Sequence, residues 1–269
     1  MDNLEVAIKA AITAGEKVLK IYNSGKFDIN YKNDNSPLTE ADLASNTIIV
    51  DHLKTTNIPI LSEEGKHVSF DERKNWKKLW IVDPIDGTKE FVKRNGEFTI
   101  NIALIENQKP IIGVIYAPVL NDLYFSNEKF GSRKINLSNN FNDFTYIINN
   151  SIRLPLKRKE KSYVVVASRS HMNELTENFI LNLKTKYDDI KLISKGSSLK
   201  ICLVAEGFAD CYPRFAPTME WDTAAGQAIC DFAGFDLIDV NTSNPMIYNR
   251  ENLLNNHFII NNKIKNNGN

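Results

Sequence analysis

The order of the apolar segments is the feature that most restricts the fold of this chain. Apolar residues recur at helical spacing from Leu4 to Tyr22, and a second helix is predicted from about Thr39. Short strand-like segments with brief polar connections follow as far as Ser126, a pattern typical of an antiparallel sheet. After residue 161, strand-like and helical segments alternate up to Ile238, with a last helix capped by Gly234, which favours an α/β arrangement.

This order predicts an α/β protein in two parts. Residues 1–130 would form an α+β half with an antiparallel sheet, residues 131–161 a linker and edge region, and residues 162–269 an α/β half. The middle region is polar, rich in Asn and weakly patterned, which is why the boundary is placed there. We therefore expect layers of helices and sheets.

Charge and cysteine content exclude several classes of protein. The 33 basic and 33 acidic residues cancel, so no strong field favours nucleic acid or an anionic membrane. The cysteines, Cys202, Cys211 and Cys230, are odd in number and lack metal-ligand spacing, which indicates reduced packing residues in a cytoplasmic protein. No signal peptide or bilayer-spanning segment is recognisable, so integral membrane association is not expected. Peripheral association at the inner membrane stays open.

One run, from Trp80 to Glu90, joins an apolar strand to two carboxylates. Pro84 stiffens the backbone between Asp83 and Asp86, and we expect a tight turn across which both acids point at one spot. The free carbonyl of Ile85 offers a further oxygen. Oxygen-only ligand sets of this kind favour Mg²⁺.

The next two residues, Gly87 and Thr88, suit a phosphate group. Gly87 lets a phosphate come close to the backbone, and Thr88 adds a hydroxyl. Taken alone, however, Asp83 and Asp86 are equally well explained as acidic turn residues that follow a strand.

Three further acids also lie at element ends. Glu63 follows an apolar strand, Asp42 forms a capping box with Thr39, and Asp222 precedes an Ala-Ala-Gly run that begins a helix. Each has a simpler interpretation, as an exposed acidic turn or as a helix cap. Together they would gather carboxylates that repel one another, and bound divalent cations relieve such repulsion.

In this order, the motifs resemble those of the inositol monophosphatase superfamily of Mg²⁺-dependent, Li⁺-sensitive phosphatases. The resemblance covers nearly the whole chain and implies a layered αβαβα sandwich. Within the superfamily the chain is similar to the bacterial CysQ type, the 3'(2'),5'-bisphosphate nucleotidases. The stretches that carry this narrower resemblance are Asn-Ser-Pro-Leu-Thr at 35–39, Asp-Gly-Thr-Lys-Glu-Phe at 86–91, Gly-Ser-Ser-Leu-Lys at 196–200 and Tyr-Pro-Arg-Phe at 212–215.

The resemblance implies a metal site in the first half of the chain and a specificity site in the second. Two or more Mg²⁺ ions would be held by Glu63, Asp83, the carbonyl of Ile85, Asp86 and Asp222. Thr88, hydrogen-bonded to Asp42, would orient the attacking water, and Glu63 would complete the catalytic set. The substrate would contact Glu63, Asp86, Gly87, Thr88, Ser197, Lys200, Arg214 and Asp222.

Among these, Lys200 and Arg214 are candidates for the second phosphate of a nucleotide bisphosphate, and Ser197 for the same phosphate or the ribose. Their simpler interpretations are a solvent-facing lysine, a surface ion-pair arginine and a helix-start serine. The implied reaction removes the 3'-phosphate of adenosine 3',5'-bisphosphate, or of its sulfated analogue, in sulfur assimilation and nucleotide recycling.

The same residues also bear on other functions. A haloacid dehalogenase phosphatase would need its nucleophile where Pro84 stands, which excludes it. An inositol monophosphatase or sugar bisphosphatase on the same fold stays open, and so does a catalytically silent regulator that binds metal or nucleotide. The expected partner is a small nucleotide bisphosphate rather than nucleic acid. The sequence does not separate a monomer from a homodimer.

Overall fold

A computed structural model describes residues 2–25, 29–31, 37–137, 143–158, 161–167 and 173–262. Asn35 and Ser36 of the 35–39 motif lie outside the described residues. The helices are α1 (Asn3–Ser24), α2 (Glu40–Leu53), α3 (Phe70–Arg73), α4 (Thr88–Val92), α5 (Phe144–Asn150), α6 (Glu174–Lys184), α7 (Leu199–Ala205) and α8 (Glu220–Ala233), with a 3₁₀ turn at Lys54–Thr56.

The strands form two large sheets and one small hairpin. They are β1 (Ile29–Tyr31), β2 (Pro37–Thr39), β3 (Ile60–Ser62), β4 (Lys78–Asp86), β5 (Thr99–Glu106), β6 (Lys109–Ala117), β7 (Asp122–Asn127), β8 (Gly131–Asn136), β9 (Ile152–Arg153), β10 (Tyr163–Ala167), β11 (Ile190–Ser194), β12 (Cys211–Arg214), β13 (Phe235–Asp239) and β14 (Phe258–Asn262).

The first large sheet has seven strands in sequence order from β3 to β9. Its neighbours run antiparallel except β3 and β4, which are parallel. Alternate residues of β4 belong to two different cores: Trp80 and Val82 pack with α1 and α2, whereas Leu79 and Ile81 pack with α7 and α8. A sheet buried on both faces explains why this strand is apolar throughout rather than at every second position.

The second large sheet has the order β11-β10-β12-β14-β13 and mixes parallel and antiparallel pairs. Helices α7 and α8 lie between the two sheets, since α8 contacts β4 to β8 on one side and β13 on the other, and α7 contacts β10, β12 and β14. The resulting layers are helices α1 and α2, a sheet, helices α7 and α8, a sheet, and helix α6. The predicted αβαβα sandwich is confirmed.

Local signals explain where the helices begin and end. Helix α1 begins after Asp2, whose side chain accepts from the Leu4 amide, and ends at Gly25 in the left-handed conformation. Helix α2 begins at the predicted capping box, in which Thr39 and Asp42 accept from each other's backbone. Helix α8 ends at Gly234, as predicted.

The region predicted as a linker contains regular structure that the sequence pattern did not reveal. Strands β8 and β9 extend the seven-stranded sheet at its edge, and helix α5 connects them. Strand β14 was also missed. The division of the chain near residue 130 stays a prediction. The three cysteines are buried, in agreement with a packing role. Among the described helices, none has the length and apolar character required to cross a membrane.

Candidate active site

A cavity of about 490 Å³ lies where strand β4 ends and helices α4, α7 and α8 begin. All the residues predicted to contact substrate line it, namely Glu63, Asp86, Gly87, Thr88, Ser197, Lys200, Arg214 and Asp222. The fold therefore brings together side chains that are separated by up to 159 positions in the sequence. Three other predicted residues, Asp42, Asp83 and Ile85, lie around this lining.

The acids Asp83 and Asp86 lie in a β-bulge rather than in a tight turn, so the predicted turn was wrong. Strand β4 continues to Asp86, and its register against β5 shifts between the pair Asp83–Asn101 and the pair Asp86–Thr99. A bulge accommodates Pro84, which cannot donate to the sheet, and it aims neighbouring side chains to one side. The geometry that the sequence attributed to a turn is therefore supplied by an irregular strand end.

Oxygen atoms of Asp83, Asp86 and Asp222 lie within 4.8 Å of one another. Asp83 is buried, and its Oδ1 accepts from the Ile85 amide at 3.1 Å. Asp222, in the first turn of α8, accepts from the Met219 amide at 2.7 Å, so its predicted role as a helix cap is also met. The structure thus gathers three of the four predicted carboxylate ligands into one cluster.

The start of α8 is fixed by the first residue of the helix, Glu220, whose side chain is fully buried. This carboxylate accepts from the amides of Asn249 and Arg250 at 2.6 and 3.0 Å and from the Arg250 guanidinium at 3.2 Å. A buried carboxylate with three donors is rigidly placed. Asp222, two residues further along, is therefore held at a defined position beside the end of β4.

Crowding of these acids alters their titration. Burial, followed by the nearby charges of Glu63, Asp86 and Asp222, raises the pKa of Asp83 far above its ordinary value. Burial and the charge of Asp86 raise the pKa of Asp222 to about 8. Without a counter-charge, Asp83 and Asp222 favour their protonated forms at neutral pH, and a bound cation would favour their ionised forms.

Thr88, the first residue of α4, connects the cavity to Asp42. Its Oγ1 donates to Asp42 Oδ1 at 3.2 Å and lies 3.4 Å from the carbonyl of Ile85. The other oxygen of Asp42 accepts from the amide and the hydroxyl of Thr39 at 2.8 and 2.6 Å. Asp42 is buried, and the capping box fixes the oxygen that faces Thr88.

Two basic residues, Lys200 and Arg214, also line the cavity. Lys200 is only 7% exposed, so the solvent-facing interpretation is excluded. Its Nζ donates to the carbonyls of Ser197 and Lys195 at 2.6 and 3.3 Å, and burial lowers its pKa to about 8. Arg214 donates from Nη2 to the Pro217 carbonyl at 3.1 Å, and its guanidinium adds a positive charge to the lining.

Other residues of the cavity were not singled out from the sequence. Glu97 accepts from the Gly196 amide at 2.9 Å and from Lys195 at 3.3 Å, and so fastens the turn that carries Ser197. Ser198, the second serine of the 196–200 motif, donates to Asp86 Oδ2 at 2.7 Å. The doubled serine was the signal for Ser198, whereas Glu97 stands in no motif.

Comparisons with known proteins agree with this fold. Residues 2–267 match the model of the inositol monophosphatase family. The 3'(2'),5'-bisphosphate nucleotidase CysQ of Escherichia coli (strain K12) is 42% identical, over 94% of this chain and 96% of that protein. CysQ of Buchnera aphidicola is 44% identical, over 86% and 82%. The crystal structure of CysQ from Bacteroides thetaiotaomicron aligns with a TM-score of 0.88 at 50% identity, over 97% of both chains.

Proposed function

Because this chain belongs to the inositol monophosphatase family, we propose that it is a Mg²⁺-dependent 3'(2'),5'-bisphosphate nucleotidase. Its reaction converts adenosine 3',5'-bisphosphate to AMP and phosphate, and 3'-phosphoadenosine 5'-phosphosulfate is a second substrate of the same class. The observation that carries the proposal is the cavity itself, which brings a carboxylate cluster together with the basic residues Lys200 and Arg214. CysQ relatives that align over most of the chain support the nucleotide as substrate.

The carboxylate cluster fits divalent cations. Hard oxygen donors from Asp83, Asp86 and Asp222 lie close enough to share an ion, and Glu63 lines the same cavity. Burial without a cation leaves Asp83 and Asp222 with strongly raised pKa values, which is the behaviour of a site built for positive charge. Bound Mg²⁺ would lower the pKa of a water ligand and offset charge on the leaving oxygen. We propose two or more ions, with the Ile85 carbonyl as a further ligand.

Thr88 and Asp42 position the attacking water. Because Asp42 can only accept, the Thr88 hydroxyl directs its proton to Asp42 and turns its lone pairs toward the cavity. A water in front of Thr88 then donates one proton to Oγ1, which fixes the direction of its own lone pairs. Asp42 is the final acceptor of the proton in this pair. Glu63, which lines the same cavity, completes the proposed catalytic set.

The phosphate under attack lies at the start of α4. Gly87 adopts a φ of 92°, a conformation that favours glycine, and a Cβ there would meet Ser197 Cβ at 3.2 Å. The absence of a side chain leaves the backbone at residues 87 and 88 open to phosphate oxygens. Phosphoryl transfer depends mainly on positioning and charge stabilisation, and these residues supply both.

The second phosphate of the substrate is assigned to Arg214 and Lys200. Arg214 brings its guanidinium charge to the cavity lining, and Lys200 adds a buried positive charge while holding the turn at residues 195–197. Ser197 lines the same cavity next to Gly87, within reach of the same phosphate or the ribose. A substrate with one phosphate would leave these charges unused.

Replacing Arg214 by alanine tests this assignment. We expect the KM for adenosine 3',5'-bisphosphate to rise by about 10–100-fold, because a hydrogen bond to a charged group is worth about 1.5–3 kcal/mol. The matched control is adenosine 3'-monophosphate, which differs only in the second phosphate and should change less than about threefold. Equal changes for both substrates would remove Arg214 from the assignment.

Phosphate release measured with different substrates tests the function. Adenosine 3',5'-bisphosphate, inositol 1-phosphate and fructose 1,6-bisphosphate are compared in Mg²⁺, with and without Li⁺. We expect a preference for the nucleotide and inhibition by Li⁺. A preference for a sugar phosphate would keep the metal site but contradict the nucleotide assignment. No activity on any of them would favour the silent regulator. The oligomeric state and the cytoplasmic location stay predictions from the sequence.

The stability of the metal-free protein should fall as the pH rises. Asp222 has an ordinary pKa of 3.8 that the folded chain raises to about 8, so the folded state binds its proton more tightly than the unfolded state. That contribution is complete below pH 3.8 and is lost as the pH rises toward 8. In EDTA, we expect the free energy of unfolding to fall by on the order of 3 kcal/mol between pH 5 and pH 8.

Urea unfolding at several pH values measures this slope. Asp222→Asn cannot ionise at this position and should show a flatter profile in EDTA, and saturating Mg²⁺ should flatten the wild-type profile. Parallel profiles of variant and wild type would contradict the assignment of the pH dependence to Asp222.

A further inference from the structure

A row of buried polar side chains leads from strand β5 to Asp86 behind the cavity. Its members are Thr99, Asn101 and Ser198, which are 0%, 1% and 2% exposed. Thr99 and Asn101 pair with Asp86 and Asp83 across the bulge, and Ser198 precedes helix α7. The row therefore connects strand β5, which lies beside the acid cluster, to the start of helix α7.

Hydrogen bonds along this row have one consistent direction. Asp86, as a carboxylate, can only accept, so the single proton of Ser198 is given to Asp86 Oδ2 at 2.7 Å. Ser198 must then accept from Asn101 Nδ2, at 2.9 Å, which turns the amide carbonyl of Asn101 toward Thr99. Thr99 donates to that carbonyl at 3.0 Å. Any reversal would leave two donors or two acceptors facing each other.

We propose that Ser198 is a positioning residue that holds the Asp86 carboxylate for the divalent cation, with Asn101 and Thr99 fixing its proton. This inference rests on the metal site of the proposed function. Asp86 is only partly buried and shares the cluster with Asp83 and Asp222, so its carboxylate needs a partner that fixes its orientation. The bond from Ser198 occupies Oδ2 and leaves Oδ1 for the cation. The same hydroxyl lies 3.1 Å from the backbone carbonyl of Asp222, so its one proton is shared between two acceptors and lies mainly toward the shorter contact with Asp86.

Titration of MgCl₂ into the metal-free protein by calorimetry tests the proposal without depending on turnover. Ser198→Ala should raise the Kd for Mg²⁺ by about 10–100-fold, the usual effect of removing a partner of a metal ligand. Ser126→Ala is the matched control, because the Ser126 hydroxyl is fully buried and has no hydrogen-bond partner. Its Kd should stay within about twofold of the wild type.

A double-mutant cycle separates positioning from general packing. Thr99→Val keeps the shape of the side chain and removes the hydroxyl, so it should weaken Mg²⁺ binding in the wild type and have no further effect in Ser198→Ala. Additive effects would contradict a chain that acts through Ser198. If Ser198→Ala does not fold, Thr99→Val alone decides: a raised Kd supports the proposal and an unchanged Kd overturns it.

The outcome also separates this inference from the proposed function. A wild type that binds Mg²⁺, with a Ser198→Ala variant that binds it equally well, overturns the positioning role alone. A wild type that does not bind Mg²⁺ overturns both the metal site and the role of Ser198.

Discussion

Replacing Asp42 by asparagine is expected to lower kcat by about 10²–10⁴-fold, the range for loss of general acid–base catalysis. Asparagine matches aspartate in shape, but its amide nitrogen replaces one carboxylate oxygen. That nitrogen must therefore face either Thr39 or Thr88, both of which donate to Asp42 in the wild type. Facing Thr39, it would oppose the amide and hydroxyl that both donate to Oδ2. It will therefore face Thr88 and donate to it. The Thr88 hydroxyl then has no acceptor at residue 42, so its proton is no longer directed away from the attacking water.

The fold and metal binding should survive this change. The amide oxygen of the introduced asparagine still accepts from Thr39, so the start of α2 is retained, and we expect a loss of stability below about 1 kcal/mol. The matched control is Glu40→Gln, which changes an exposed acid in the same helical turn. Steady-state kinetics, Mg²⁺ calorimetry and urea unfolding are measured on both variants. Near-normal kcat in Asp42→Asn would remove this residue from the mechanism.

Elements with local signals could be predicted from the sequence. The capping box of Thr39 and Asp42 and the terminal Gly234 are set by residues within one helical turn, and helices α2 and α8 were predicted on that basis. Strands β9 and β14 could not be predicted, because their structure depends on pairing with β8, β12 and β13, which are distant in the sequence. Strand β8 lies in the same weakly patterned region.

The candidate site divides in the same way. Acids at element ends were predicted to converge because strand ends and helix starts are where sites are built, and Asp83, Asp86 and Asp222 do converge. The bulge at Pro84 was not predicted, since a Pro between two acids fits a turn equally well. Ser198 and Asn101 were missed because a hydrogen bond between residues 97 positions apart exists only in the folded chain.

Replacing Asp83 by asparagine is expected to abolish most activity and yet stabilise the metal-free protein. Asp83 is the most buried acid of the cluster, and the carboxylates of Asp86 and Asp222 lie close enough to share an ion with it. Losing one anionic ligand removes several kcal/mol of charge stabilisation, and we expect kcat/KM to fall by on the order of 10³-fold.

The gain in stability has the same origin as the loss of activity. Burial and three neighbouring carboxylates raise the pKa of Asp83 far above its ordinary value, so ionisation of this side chain opposes folding at neutral pH. The asparagine of the Asp83→Asn variant carries no charge, and its Oδ1 can still accept from the Ile85 amide. In EDTA at pH 8, we expect the free energy of unfolding to rise by on the order of 2 kcal/mol.

Asp51→Asn serves as the control, because Asp51 is an exposed acid on α2 whose side chain is 67% accessible. Its effect should stay within about 0.5 kcal/mol, and its activity should be that of the wild type. Saturating Mg²⁺ should reverse the order of stability, since the wild type gains binding free energy that Asp83→Asn cannot. If Asp83→Asn is less stable than the wild type in EDTA, Asp83 stabilises the fold. It is then not a destabilising residue that the fold retains for binding the cation.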